Sequence, residues 1–167
     1  MKKRTAIYLL VFLLLLLLLV IAGQRFNQPV VAPVEGAKAP PISGRTVEGT
    51  DISLSDFNGR RVIITFWQTQ SPPSLRELEN LTALKRANGD KLGIITINEK
   101  GQQADIYSFV KNKKLLTPVV LDDAKYSLAN LYKVDYMPTT FILDRHGIIV
   151  KKANGGMTAA EMLEYLK

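Results

Sequence analysis

Phe66-Trp67-Gln68-Thr69-Gln70-Ser71-Pro72-Pro73-Ser74 closes one pattern and opens another. Before it, Val62 to Trp67 is an apolar run rich in β-branched and aromatic residues, which reads as a buried strand over Arg61 to Trp67. After it, Leu75, Leu78, Leu81 and Leu84 recur every three residues, and Asn88-Gly89 is a stop signal, so Ser74 to Asn88 reads as a helix. A strand that runs into a helix start sets unpaired N–H groups and a partial positive charge at the turn between them. Ser71 and Ser74 lie at i, i+3 around that turn. Ser71 is a preferred N-cap with prolines in the tolerated first turn. Ser74 with Glu77 three residues on has the capping-box pattern, so either serine fits the cap.

Leu92 to Asn98 is a second apolar strand, and a strand–helix–strand unit of this kind makes a right-handed parallel crossover. Upstream, Pro41 to Leu54 reads as a small hairpin, and Asp56-Phe57-Asn58-Gly59 as a turn. Downstream, Ala104 to Asn112 is a helix with Ile106, Phe109 and Val110 inward. A short strand follows over Thr117 to Leu121, then a short helix over Ala124 to Tyr132 with Leu128 and Leu131. Thr139 to Asp144 and Ile148 to Lys152 form an antiparallel hairpin about Arg145-His146-Gly147. Thr158 to Glu161 is a capping box that opens a last helix, with Met162, Leu163 and Leu166 toward the core. This order gives an α/β three-layer sandwich, a central mixed sheet with helices on both faces.

The N-terminus has a different character. Residues 1–5 form a basic tail with Lys2, Lys3 and Arg4. Ala6 to Ala22 is unbroken apolar sequence around the Leu13–Leu19 block, long enough for a short membrane span and longer than most signal-peptide cores. The expectation is a transmembrane signal anchor over residues 6–23, with the basic tail cytoplasmic and the rest extracytoplasmic. Residues 24–37, with Gln-Pro, Ala-Pro and Gly, read as a semi-extended linker. Residues 38–167 are long enough for one core.

From Lys38 onward there are 18 Lys/Arg against 14 Asp/Glu, scattered apart from Lys111, Lys113 and Lys114. Those three suit a helix C-terminus, and no aromatic interleaving points to nucleic acid. There is no cysteine. That excludes a disulfide framework, a thiolate nucleophile and a thiolate-ligated metal. With one histidine and scattered carboxylates the sequence has no metal-ligand spacing, and no glycine-rich phosphate loop is present.

Leu54-Ser55-Asp56-Phe57-Asn58-Gly59-Arg60, Phe66-Trp67, Pro72-Pro73, Glu77, Pro118-Val119-Val120-Leu121-Asp122, Pro138-Thr139-Thr140-Phe141-Ile142-Leu143-Asp144 and Gly147 occur in an order that resembles the thioredoxin fold. More closely, the chain resembles the membrane-anchored TlpA/ResA/CcmG group, redoxin-type thiol–disulfide oxidoreductases of cytochrome c maturation and envelope redox homeostasis. That group's Trp-Cys-x-x-Cys motif is altered at three positions, with Gln70 for Trp and Ser71 and Ser74 for the two cysteines. The resemblance implies that Glu77 matches the family's acid position and that Pro138 matches the cis-proline facing the active-site turn. It also implies that the backbone before Pro138 pairs with an extended substrate peptide, which needs no thiol.

Thiol–disulfide exchange needs a thiolate to attack and a second thiol to resolve. A serine hydroxyl does neither, so the site is degenerate and no residue is catalytic. Acyl transfer would need a base near Ser71. His146 lies eight residues past Pro138 on a strand leading away, roughly 20 Å or more off. What remains is binding. Trp67, Gln70, Pro72, Met137, Pro138 and Met157 are the candidates for a mildly apolar, adaptable face that takes an envelope protein or peptide. Two readings stay open: a redox-inactive binding protein with no cofactor, and a thiol–disulfide oxidoreductase seen as a cysteine-less copy.

Overall fold

In the computed structural model the described residues are 8, 11–17, 33–123, 125 and 127–167. The chain divides into two compact units, Met1–Val30 and Val31–Lys167. In the first, Tyr8 and residues 11–17 are helical. Among the described residues no helix is long and apolar enough to cross a membrane. Most of the expected 6–23 anchor lies outside the described residues, as does most of the 24–37 linker.

The second unit is built on β3 (Arg61–Trp67) and β4 (Leu92–Asn98). Each is buried almost from end to end, as a strand covered on both faces must be. They pair in parallel, with Arg61 opposite Leu92 and Trp67 opposite Asn98. β5 (Val119–Leu121) adds in parallel to β4, and β6 (Thr139–Leu143) adds antiparallel to β3. β7 (Ile149–Asn154) completes the five-stranded mixed sheet in the order β5-β4-β3-β6-β7. The expected strand over 117–121 is shorter because Pro118 has no N–H to donate. Its carbonyl still accepts from the Thr96 N–H at 3.0 Å.

Strand alternation sorts the core into two layers. Ile63, Trp67, Ile94 and Ile142 face one way, under α1 (Pro72–Asn88), α2 (Gln103–Lys113) and α4 (Ala159–Glu164). Val62, Ile64, Phe66, Ile95, Ile97 and Phe141 face the other way, with Ala129 of α3 (Ser127–Leu131) and Tyr132. Phe66, Tyr132 and Phe141 form an aromatic triad with centroids 5.0–6.2 Å apart. The Tyr132 hydroxyl is buried and donates to the Pro40 carbonyl at 2.6 Å. Helices on both faces of a mixed sheet are the sandwich that the element order implies.

β1 (Ser43–Arg45) and β2 (Asp51–Ser53) form the expected hairpin. It closes over β5, where Thr46 bridges Val120 and the Val47 N–H donates to Val119. The open sheet edge is thereby covered. The end of the expected linker belongs to this unit, since Gly36 donates to Ile149 and Ala39 to Gly147. The α4 capping box forms as expected, with Thr158 and Glu161 capping each other. Met162 is buried, but Leu163 is 43% exposed, so only part of the expected inward face of α4 is used.

Candidate functional site

The register of β3 against β6 assembles the site. Phe66 lies opposite Thr139, so the turn after Trp67 and the segment before Thr139 meet at one end of the sheet. The Met137–Pro138 peptide is cis, as the resemblance implies. The Ser71 hydroxyl donates to the Met137 carbonyl at 3.2 Å and accepts from the Ser74 N–H at 3.3 Å. Ser71 is therefore the N-cap, with extended backbone, and Pro72 and Pro73 open α1. The Leu75 N–H donates to the Ser71 carbonyl, the first bond of the helix.

Ser74 is not a cap. It is fully buried in the first turn, and its hydroxyl has no hydrogen-bond partner among the described residues. The Ser74–Glu77 capping box does not form either. Glu77 shares the inward face of α1 with Leu78 and Leu81, so its carboxylate turns into the core. One oxygen accepts from the Thr140 hydroxyl and from the Thr65 hydroxyl. The other accepts from the Met157 N–H at 2.8 Å. Thr65 and Thr140 are register partners whose hydroxyls lie 3.0 Å apart. Burial pushes the Glu77 carboxyl above its ordinary range, and the bonds from Thr140, Met157 and Thr65 oppose that shift in part. Glu77 is a buried acid that ties β3, β6, α1 and the loop after β7 together.

That loop, Gly155-Gly156-Met157, is fixed from three sides. The Gly155 N–H donates to the Pro138 carbonyl at 2.8 Å, Glu77 holds the Met157 N–H, and the Asn80 amide donates to the Met157 carbonyl at 3.1 Å. A cleft of about 330 Å3 opens beside it, lined by Pro73, Arg76, Asn80 and Gly156 among others.

The candidates for a partner face divide on exposure. Gln70 and Pro72 are exposed and Met137 is half-buried. Trp67 is fully buried and stacks on Phe109, with centroids 5.6 Å apart. Met157 is buried as well, so both are corrected from surface groups to core groups. Pro138 contributes backbone rather than surface. Sequence reading missed Tyr136, which is 68% exposed next to Met137. A bulky aromatic one residue before the Met-Pro pair was the available signal. It also missed Gln68, whose amide donates to Glu99 in the loop after β4.

The chemistry of this end of the sheet is that of hydrogen bonding and packing. The Ser71 hydroxyl is turned to a carbonyl rather than to a base. His146 is exposed in the turn beyond the far end of β6. Among the described residues no group of three or more acids and histidines has the geometry to hold a metal ion. The Met137 N–H enters no hydrogen bond among the described residues.

Residues 34–166 match the redoxin family. A thioredoxin-like protein of Bacillus subtilis, YneN, is 32% identical over 147 residues, covering 86% of this chain and 85% of that protein. The sporulation thiol-disulfide oxidoreductase A of the same organism is 35% identical over 126 residues, covering 72% and 74%. The crystal structure of StoA from Bacillus subtilis superposes with a TM-score of 0.67 at 32% identity, covering 79% of this chain and 99% of that one.

Proposed function

The chain belongs to the redoxin family, in its thioredoxin-like thiol–disulfide oxidoreductase branch, and from that premise we propose that it is a redox-inactive binding protein. It is anchored to the membrane by residues 6–23, with its domain on the extracytoplasmic side. It binds an envelope protein or peptide across the Gln70-Ser71-Pro72 turn and the Tyr136-Met137-Pro138 segment. The observation that carries this reading is the Met137 N–H, which lies beside exposed Tyr136 and has no hydrogen-bond partner among the described residues. An extended peptide can take that N–H as an added strand does, and the exposed Tyr136, Gln70 and Pro72 side chains flank its path. The degenerate turn keeps its geometry through the Ser71 bonds to Met137 and Ser74, so a binding face persists without sulfur.

A photo-crosslinker at Gln70 or Tyr136 in the full chain, in its own membranes, tests this. The expected result is one partner adduct, equal with and without dithiothreitol, and absent when the crosslinker sits at Arg145. Adducts that depend on the thiol state, or that form equally from Arg145, sink the reading.

A further inference from the structure

We propose a phosphate-binding site at the pole of the sheet opposite the Ser71 turn. Arg60, Arg61, Lys91 and Arg145 line one cleft of about 350 Å3, together with Gly59, Asn88, Leu92 and Leu166. Three adjacent strands deliver the four cations. Arg60 and Arg61 come at the start of β3, and Lys91 at the start of β4, whose Leu92 pairs with Arg61. Arg145 comes just past the end of β6, whose Leu143 pairs with Val62.

Among the described residues no carboxylate side chain lines the cleft. The acids nearest in sequence are engaged elsewhere. Asp56 accepts from the Ser53 N–H at 2.8 Å. Asp90 pairs with Lys85 at 3.1 Å. Asp144 accepts from the His146 and Ile148 N–H groups. None of the four cations forms an ion pair among the described residues, although Arg45, Lys85, Lys111 and Lys151 each do.

Two of the four are held in place. The Arg60 guanidinium donates to the Asp56 and Asp90 carbonyls and stacks 4.7 Å over the Phe57 ring. Arg61 is half-buried and donates to the Tyr165 carbonyl at 3.4 Å. Their other N–H donors remain for a ligand. Four like charges converging on one cleft repel each other, and a bound anion offsets that repulsion. Guanidinium forks match the oxygens of a phosphate group, and a multiply charged tetrahedral anion suits donors arriving from three strand ends. The ligand is a phosphate group, either free or carried by a lipid headgroup.

The test uses the full chain in non-ionic detergent, titrated with inorganic phosphate and, at matched ionic strength, with chloride, while backbone amide resonances are followed. Saturable shifts are expected for Arg60, Arg61, Leu92 and Arg145 with phosphate only, and none at the Ser71 turn. Lys91→Gln with Arg145→Gln removes two exposed side chains that make no hydrogen bond among the described residues, and weakens binding by about tenfold. Lys91→Gln alone gives an intermediate loss. Repeating the titration in nanodiscs of phosphatidylcholine, with and without phosphatidylglycerol, separates the sources. Shifts of the same amides by phosphatidylglycerol assign a headgroup, and unaltered phosphate affinity assigns a soluble phosphate. Shifts reproduced by chloride, or phosphate affinity unchanged in both variants, overturn the proposal.

Discussion

Replacing Glu77 separates its two physical effects. Its carboxylate is fully buried, accepts from Thr65, Thr140 and the Met157 N–H, and has no cation paired with it among the described residues. Glu77→Ala leaves the Met157 N–H buried without an acceptor, which costs about 1–3 kcal/mol, while Thr65 and Thr140 still have each other at 3.0 Å. With the lost packing, the expected loss is about 2–4 kcal/mol, a fall in Tm of roughly 10 °C for a domain of this size. Glu77→Gln keeps the shape. Its amide oxygen takes the Met157 N–H, its NH2 donates to the threonine hydroxyls, and the buried charge is gone.

The folded carboxyl sits above its unfolded value of 4.5, so the native state binds the proton more tightly than the unfolded chain. Its contribution to stability is fully present below that unfolded value and is lost as pH rises through the folded one. Glu35, Asp51, Asp123 and Glu161 are shifted down and act in the opposite direction, at lower pH. The difference between wild type and Glu77→Gln cancels their effect. Denaturant unfolding of the full chain, followed by the fluorescence of its single tryptophan, buried Trp67, measures it. The glutamine variant should match wild type near pH 4 and exceed it increasingly toward pH 7. A difference independent of pH, or a glutamine variant less stable at pH 7, refutes the buried-charge argument.

Ser71→Ala removes the cap of α1 and the bond to Met137, at a cost of about 1 kcal/mol in denaturant unfolding. Ser74→Ala removes a buried hydroxyl with no partner among the described residues and should be neutral or stabilising in the same assay. Ser71→Cys should react with an aromatic disulfide reagent far faster than Ser74→Cys, because position 71 is part-exposed at the helix start and position 74 is buried. The Ser71→Cys/Ser74→Cys double variant tests the scaffold directly: turnover of insulin disulfides would show the fold still poised for exchange, and none would show that Gln70 and its surroundings have closed that route. Gly93→Ala puts a Cβ 2.5 Å from the Phe57 ring and should cost about 1–3 kcal/mol in thermal unfolding.

Most of the fold was legible because its signals are local. The burial of β3 and β4 shows as continuous apolar runs, α1 as leucines at helical spacing, and α4 as a Thr158–Glu161 box that forms in the structure. The absence of a thiol is read from composition alone. The site was legible only in outline. Ser71 and Ser74 carry equal capping credentials in sequence, and what separates them is that the Ser71 hydroxyl also reaches Met137, 66 residues on. Glu77 reads as a surface cap until the β3–β6 register sets Thr65 and Thr140 beneath it.

The elements, their order and the absence of sulfur at the turn follow from the amino-acid order alone, because each rests on neighbours a few residues apart or on composition. The tertiary structure decided which serine caps the helix, that Trp67 and Met157 lie inside, and that four cations spread from Arg60 to Arg145 line one cleft. Those outcomes depend on strand register and on which layer of the sandwich a side chain enters, and long-range pairing fixes both.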